Sequence, residues 1–196
     1  DAAVAGAGAA LGGIDALVLS AGVIRIGPLE ATTDDDWSLV LGVNLDGAFR
    51  VLRAAIPWLR EAGARGRVVA ISSDAGRRGF GGIPAYTASK FGLIGLVESA
   101  AVELAPHGVT VNAVCPVGAP GTAMGREVLA WKVAATGRGE AEILAAAART
   151  NPIGRNATEE DVAAAVRWLL DERSGFITGI ALDVDGGAHL GFLPGT

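Results

Sequence analysis

Arg67-Val68-Val69-Ala70-Ile71-Ser72-Ser73, residues 67–73, decides the fold. Its centre is a short apolar run without polar alternation, the pattern of a strand buried on both faces. Strands of that kind lie in parallel sheets, where neighbours are joined by crossovers long enough to hold a helix. Both flanks supply one. On the carboxyl side, a glycine-rich loop from Gly76 to Gly82 leads into a predicted helix over 84–105; Pro106-His107-Gly108 stops it, and Val109 to Cys115 reads as the next strand. On the amino side, Thr33-Asp34-Asp35-Asp36 offers an N-cap and an acidic first turn for a predicted helix over 34–61. Trp37, Val40, Leu41, Leu45, Ala48, Val51 and Leu52 recur there at helical spacing, and Gly63 to Gly66 end it.

Further out, Ile14 to Ser20 is a strand running into Ala21-Gly22, behind an Ala-rich helix over 1–11 that stops at Gly12-Gly13. Past the third strand, a Gly/Pro-rich loop from Pro116 to Gly125 opens helical sequence containing Trp131 and the Ala145–Ala148 run. Thr158-Glu159-Glu160-Asp161 reads as a capping box, with Val162, Val166, Leu169 and Leu170 in one stripe behind it. Gly179 to Val184 is the last strand, closed by Asp185-Gly186-Gly187. This alternation predicts an α/β fold: a doubly wound parallel sheet with helices on both faces, in one domain over 1–196 without internal repeats.

Composition narrows the function classes. Hydrophobic residues make up 51% and charged ones 19%, too apolar for a disordered chain. Charges and glycines interrupt every run of the ~18 residues a membrane span needs, so no membrane partner is expected. A net charge of −5 leaves no basic cluster for phosphates, which argues against nucleic acid, and Arg77-Arg78 reads as a solvated loop pair. The single cysteine, Cys115, cannot form an intrachain disulfide; it reads as a small buried hydrophobe and points to a reducing, cytoplasmic compartment. The first residues, Asp1-Ala2-Ala3-Val4, include neither an initiator Met nor the basic region of a secretion signal. No grouping of residues reads as a metal site.

In an open parallel sheet the binding crevice lies beyond the carboxyl ends of the strands. The strand ending at Ser73 delivers a hydroxyl there, and Tyr86 and Lys90 follow within Tyr86-Thr87-Ala88-Ser89-Lys90. Helix positions i and i+4 share a face, about 5–6 Å apart at Cβ, so the ammonium can lie near the phenol. A free tyrosine ionises at about pH 10 and needs a nearby cation to act as a base at neutral pH. Ser73 would bond the same substrate oxygen and stabilise its developing charge. Taken singly, Ser73 reads as well as a loop cap and Tyr86 as a core residue; the spacing between them favours chemistry. Asn44, polar within an apolar helical stripe, costs stability unless paired.

Ser73, the Tyr86–Lys90 run and Asn44 in Val43-Asn44-Leu45-Asp46-Gly47 together resemble the catalytic tetrad of the short-chain dehydrogenase/reductase (SDR) family. Further likenesses run in order: Asp15 to Gly22 resembles the family's strand-four motif, and Val111-Asn112-Ala113-Val114-Cys115-Pro116 the segment before its cofactor loop. Phe176-Ile177-Thr178-Gly179 with Asp183 to Gly187 resembles its carboxyl-terminal strand. The resemblance implies a Rossmann-like fold and an oxidoreductase that interconverts a secondary alcohol and a ketone with NAD or NADP. It makes Tyr86 the acid/base. Lys90 lowers its pKa and holds the nicotinamide ribose, Ser73 orients the substrate, and Asn44 relays protons through water to Lys90. It also implies cofactor contacts at Ser20, Ala21, Gly22, Tyr86, Lys90, Pro116, Val117 and Gly118.

The sequence departs from the family in three places. Leu19-Ser20 stand where two asparagines are usual, and Pro116-Val117-Gly118 replaces a Pro-Gly pair, shifting Thr122 by one residue. The Gly-rich phosphate turn and the residue choosing between NAD and NADP are not found, so by this likeness the chain lacks the family's first βαβ portion, on the order of 50–60 residues. The loop from Gly118 to Gly139, with Met124 and Trp131, is expected to cover an apolar small-molecule substrate.

Leu93, Ile94, Leu96 and Val97 cannot all face one sheet, and Leu190, Phe192 and Leu193 make an apolar tail; both features predict a homo-oligomer, most simply a tetramer. His107 reads as a surface residue at a helix end, and His189 as a remote candidate for the site. Trp37, Trp58, Trp131 and Trp168 read as packing or interface residues. Two other functions compete: a dehalogenase-like SDR relative without nicotinamide, which Lys90 disfavours because arginine is usual there, and a cofactor-incompetent assembly module.

Overall fold

The computed structural model describes residues 2–190. Four parallel strands lie side by side in chain order: β1 (Ala16–Leu19), β2 (Arg67–Ile71), β3 (Thr110–Pro116) and β4 (Ala181–Val184). Ala16 is paired with Arg67, Arg67 with Thr110, and Ala113 with Ala181. The helices are α1 (Ala2–Leu11), α2 (Asp34–Leu41), α3 (Gly47–Ala62), α4 (Pro84–Leu104), α5 (Ala123–Thr136), α6 (Glu140–Arg149) and α7 (Glu159–Leu170).

The pleat divides the strands between two apolar layers. Val68 and Ala70 of β2 and Val111, Ala113 and Cys115 of β3 pack with Leu52, Ala55 and Leu59 of α3 and with Leu93, Val97, Ala101 and Leu104 of α4. Val69 and Val114 point the other way, onto Leu169 of α7. Helices therefore cover both faces, as the buried character of β2 required. Val18 of β1 is paired with Val69, yet it stays 42% exposed, because α7 packs on β2, β3 and β4.

Local chemistry places the helix ends. The Thr33 hydroxyl accepts the Asp36 N–H, and Thr158 and Asp161 form the reciprocal capping box. Asn112 is polar in a fully buried strand because its side chain bonds the Ile177 carbonyl and the Ile180 N–H, seating the segment that enters β4. Trp58 packs on Gly8, where a Cβ would come within 2.5 Å of the indole, and so joins α1 to α3. Trp37, Trp131 and Trp168 are exposed.

The sequence around Trp131 and Ala145–Ala148 is helical as expected, in two helices divided at Gly137, whose φ of +67° ends α5. Two expectations are corrected. The helix predicted over 34–61 contains a π turn at Gly42–Asp46, which inserts a residue between α2 and α3. Leu93, Ile94 and Val97 are all buried within the chain and Leu96 packs against the same core, since the helix meets β3 on one side and α3 on the other. Its outward apolar residues are Phe91 and Val102. Leu190 is exposed, and Phe192 and Leu193 lie outside the described residues.

Leu59 is fully buried between α3 and the sheet. Leu59→Ala is expected to lower the free energy of unfolding by about 2–5 kcal/mol, read as an earlier midpoint in urea at unchanged slope.

Candidate active site

Where β2 ends, the chain turns back on α4. The Ser72 hydroxyl donates to the Lys90 carbonyl at 3.0 Å. Ser73 caps a 3₁₀ turn over Asp74–Gly76: its oxygen accepts the Ala75 N–H at 3.1 Å, and its proton goes to the Asp74 carboxylate at 2.9 Å. Gly76 has no side chain for a steric reason. A Cβ there would lie 2.6 Å from the Ser72 hydroxyl and 2.8 Å from the Lys90 carbonyl oxygen, so only glycine lets this turn seat against α4.

α4 starts at Pro84, whose missing N–H costs nothing in a first turn. Tyr86 and Lys90 follow one turn apart on its buried side, 9% and 4% exposed. The Lys90 ammonium donates to the Ile71 carbonyl at 2.7 Å and lies 5.4 Å from the centre of the Tyr86 ring. Asn44 occupies the middle of the π turn, buried. Its side-chain oxygen accepts the Val23 N–H at 2.8 Å, and its NH₂ donates to the Val23 carbonyl at 2.9 Å and to the Ser89 hydroxyl at 3.0 Å. Ser89 in turn donates to the Tyr86 carbonyl at 2.7 Å. A Cβ on Gly22 would sit 3.5 Å from the Asn44 oxygen and 3.6 Å from Lys90 Nζ, so the loop after β1 lies directly over both. Asn44, Ser73, Tyr86 and Lys90, far apart in sequence, thus converge on one sheet edge.

Burial dominates the electrostatics here. It raises the Tyr86 phenol above its ordinary pKa; the nearby Ser73 hydroxyl opposes the rise, and the Asp74 charge adds to it. Burial also lowers the Lys90 ammonium, to about 8, and one of its protons is bonded to the Ile71 carbonyl. Cys115 is fully buried, and burial pushes its thiol up to about 11, the behaviour of an inert apolar residue.

The expected cofactor residues sit at the same edge. Ser20 and Ala21 are exposed past β1, Pro116 ends β3, the Val117 N–H donates to the Val184 carbonyl at 3.2 Å, and Gly118 is exposed. Thr122 caps α5, accepting the Gly125 N–H at 2.9 Å. A cavity of about 320 Å³ beside Val117 is lined by Asn151, Arg155, Asp183 and Asp185, not by Tyr86 or Ser73. His107 is exposed, and His189 is tied to Asp185 at 2.6 Å rather than to Tyr86. Neither Arg77 nor Arg78 is simply solvated: they pair with Asp183 at 3.4 Å and Asp74 at 3.7 Å. The sequence reading missed Ser89 and Asp74; the one signal for Ser89 was a hydroxyl between two residues of the same buried face.

A family model described as enoyl-(acyl carrier protein) reductase matches residues 1–189. L-2,3-butanediol dehydrogenase of Corynebacterium glutamicum is 37% identical over 95% of this chain and 72% of its own length. Inactive 2-(S)-hydroxypropyl-CoM dehydrogenase 2 of Xanthobacter autotrophicus is 36% identical over 95% of this chain and 78% of that protein. Actinorhodin polyketide ketoreductase, solved with NADPH, superposes with a TM-score of 0.88 at 33% identity, over 95% of this chain and 72% of that one. The chain belongs to the short-chain dehydrogenase/reductase family. It is accordingly an oxidoreductase of the kind that acts on CH–OH groups.

Asn44→Ala would leave both Val23 backbone groups without their side-chain partner. The expected loss is about 1–3 kcal/mol for each buried group left unsatisfied, read by chemical denaturation, with Asn44→Asp retaining less than the parent because its carboxylate cannot donate to the Val23 carbonyl.

Proposed function

We propose that the chain interconverts a secondary alcohol and a ketone by hydride transfer with NAD or NADP, with Tyr86 as the acid/base. The observation that carries this reading is the convergence of the Tyr86 phenol, the Ser73 hydroxyl and the Lys90 ammonium at one buried position on the sheet edge. The residues present fit the cofactor. Gly22 leaves open the space beside Lys90 Nζ, and the exposed groups of Ser20, Ala21 and Gly118 border the same edge. Lys90 and Tyr86 would hold its ribose, and Pro116 to Gly118 would flank its ring. When bound, the nicotinamide gives or accepts the hydride.

In the reducing direction Tyr86 gives its phenolic proton to the carbonyl oxygen, and in the oxidising direction the phenolate takes the hydroxyl proton back. Ser73 bonds the same oxygen and holds it in line, while Asn44 fixes the loop over Lys90. Met124 and Val128 of α5 pack against the apolar cluster that contains Tyr86, so the substrate meets an apolar wall there. This favours an apolar, medium-sized alcohol or ketone over a charged one. The second reading, assembly without turnover, draws on the relative whose name records inactivity; the four convergent side chains argue against it. Exposed Phe49 and Val51 of α3 and Phe91 and Val102 of α4 support a homo-oligomer, which we place in the cytoplasm as a tetramer.

Two measurements test this. With a screen of secondary alcohols and ketones and either cofactor, Tyr86→Phe is expected to lose roughly 10²–10⁴-fold in turnover while its circular dichroism matches the parent; activity within a few-fold of the parent would remove Tyr86 from the role. Light scattering at micromolar concentration is expected to return the mass of a tetramer, and a monomer mass would refute the assembly.

A further inference from the structure

Ser73 has one proton, and in this structure that proton points at Asp74. Its oxygen accepts the Ala75 N–H, and Ala75 itself is buried in one apolar cluster with Tyr86, so the Asp74–Gly76 turn packs directly on this part of α4. Asp74 is neither solvated freely nor fully neutralised: its other oxygen lies 3.7 Å from the Arg78 guanidinium, a loose pair. The remaining charged neighbours are accounted for. From α4, Tyr86 meets Lys90 at 5.4 Å. From β4, Asp183 holds Arg77 beside Cys115 of β3.

We propose that Asp74 is a positioning residue: its carboxylate holds the Ser73 proton and sets a partly balanced negative charge beside the Tyr86 phenol. This rests on Tyr86 being the acid/base. One consequence follows from the chemistry: a neighbouring anion makes a phenol harder to ionise. Burial acts on Asp74 itself, raising its carboxyl above the ordinary value against the Ser73 hydroxyl and Arg78. The pair Asp74–Arg78 therefore shifts the pH at which the Tyr86 phenol ionises, on top of the larger effect of burial.

Tyr86 is the only tyrosine in the chain, so its ionisation is read directly from the near-ultraviolet tyrosinate band, with Tyr86→Phe subtracted and with neither substrate nor cofactor present. In Asp74→Asn the midpoint is expected to fall by about half a unit to one unit, since an anion is removed. In Arg78→Ala it is expected to rise, since the anion loses its cation. Opposite shifts are what a merely structural role does not give. Coincident titrations, or shifts of one sign in both variants, overturn the proposal; should Asp74→Asn not fold, the upward shift in Arg78→Ala decides alone. Turnover surviving in Tyr86→Phe would instead remove the acid/base reading and leave this titration as it stands.

Discussion

Lys90 is a cation buried to 4% exposure, and a buried charge is tolerated only where hydrogen bonds replace its water. The replacement here is the carbonyl of Ile71, the last residue of β2. That one bond fixes where α4 crosses the end of the strand. Ser72 closes the link from the other side by donating to the Lys90 carbonyl, and Gly76 allows the turn to come near enough. With α4 held at both points, Tyr86 can occupy only the place beside Ser73. The cost of the arrangement shows in the ammonium, which burial brings down to about 8, near enough to neutrality for its charge to respond to whatever binds beside it.

Asn44 supplies a second constraint of the same kind. The π turn projects its side chain out of the helix line toward the loop after β1, where it makes both of the bonds that a strand neighbour would make to Val23. Its third bond, to Ser89, ties that loop to α4 just inside the Tyr86–Lys90 face. The ends of β1 and β2 are thereby joined to α4 by side chains rather than by continuous secondary structure. That allows their loops to carry chemistry without strain, since no described residue other than glycine has positive φ.

The fold was legible because β2 and β3 carry short apolar runs and because caps such as Thr33 and Thr158 mark helix starts by local chemistry. The residues that gather at the edge were legible through the spacing of Ser73, Tyr86 and Lys90. What escaped depended on tertiary contact. The π turn has no periodicity of its own: Asn44 reads as one polar residue in a helical stripe until Val23, 21 positions away, is seen to need it. The apolar surplus of α4 suggested a partner because sequence does not show that β3 and α3 approach this helix from two directions. The sign of the shift at Tyr86 depends on how dry the phenol is and on Asp74, neither of which spacing reveals.

The dryness of Tyr86 and the rise of its phenol have one origin. Met124 and Val128 of α5 complete the apolar cluster around the phenol, along with Ile24, Val40 and Ala85. Removing water from that cluster would strengthen the bonds to a substrate oxygen held there as we propose, because the local dielectric falls. It also disfavours the phenolate that the proposed oxidising direction would require. A site built this way needs positive charge close to the phenol to restore balance, and Lys90 is the cation the chain itself places there, over the ring and bonded to the Ile71 carbonyl. Asp74 adds to the rise that burial gives the phenol, so the two charges nearest Tyr86 are held on two different elements, the turn after β2 and α4. Their separation is governed by the contact at Gly76, which makes a glycine without chemistry of its own the spacer on which the balance depends.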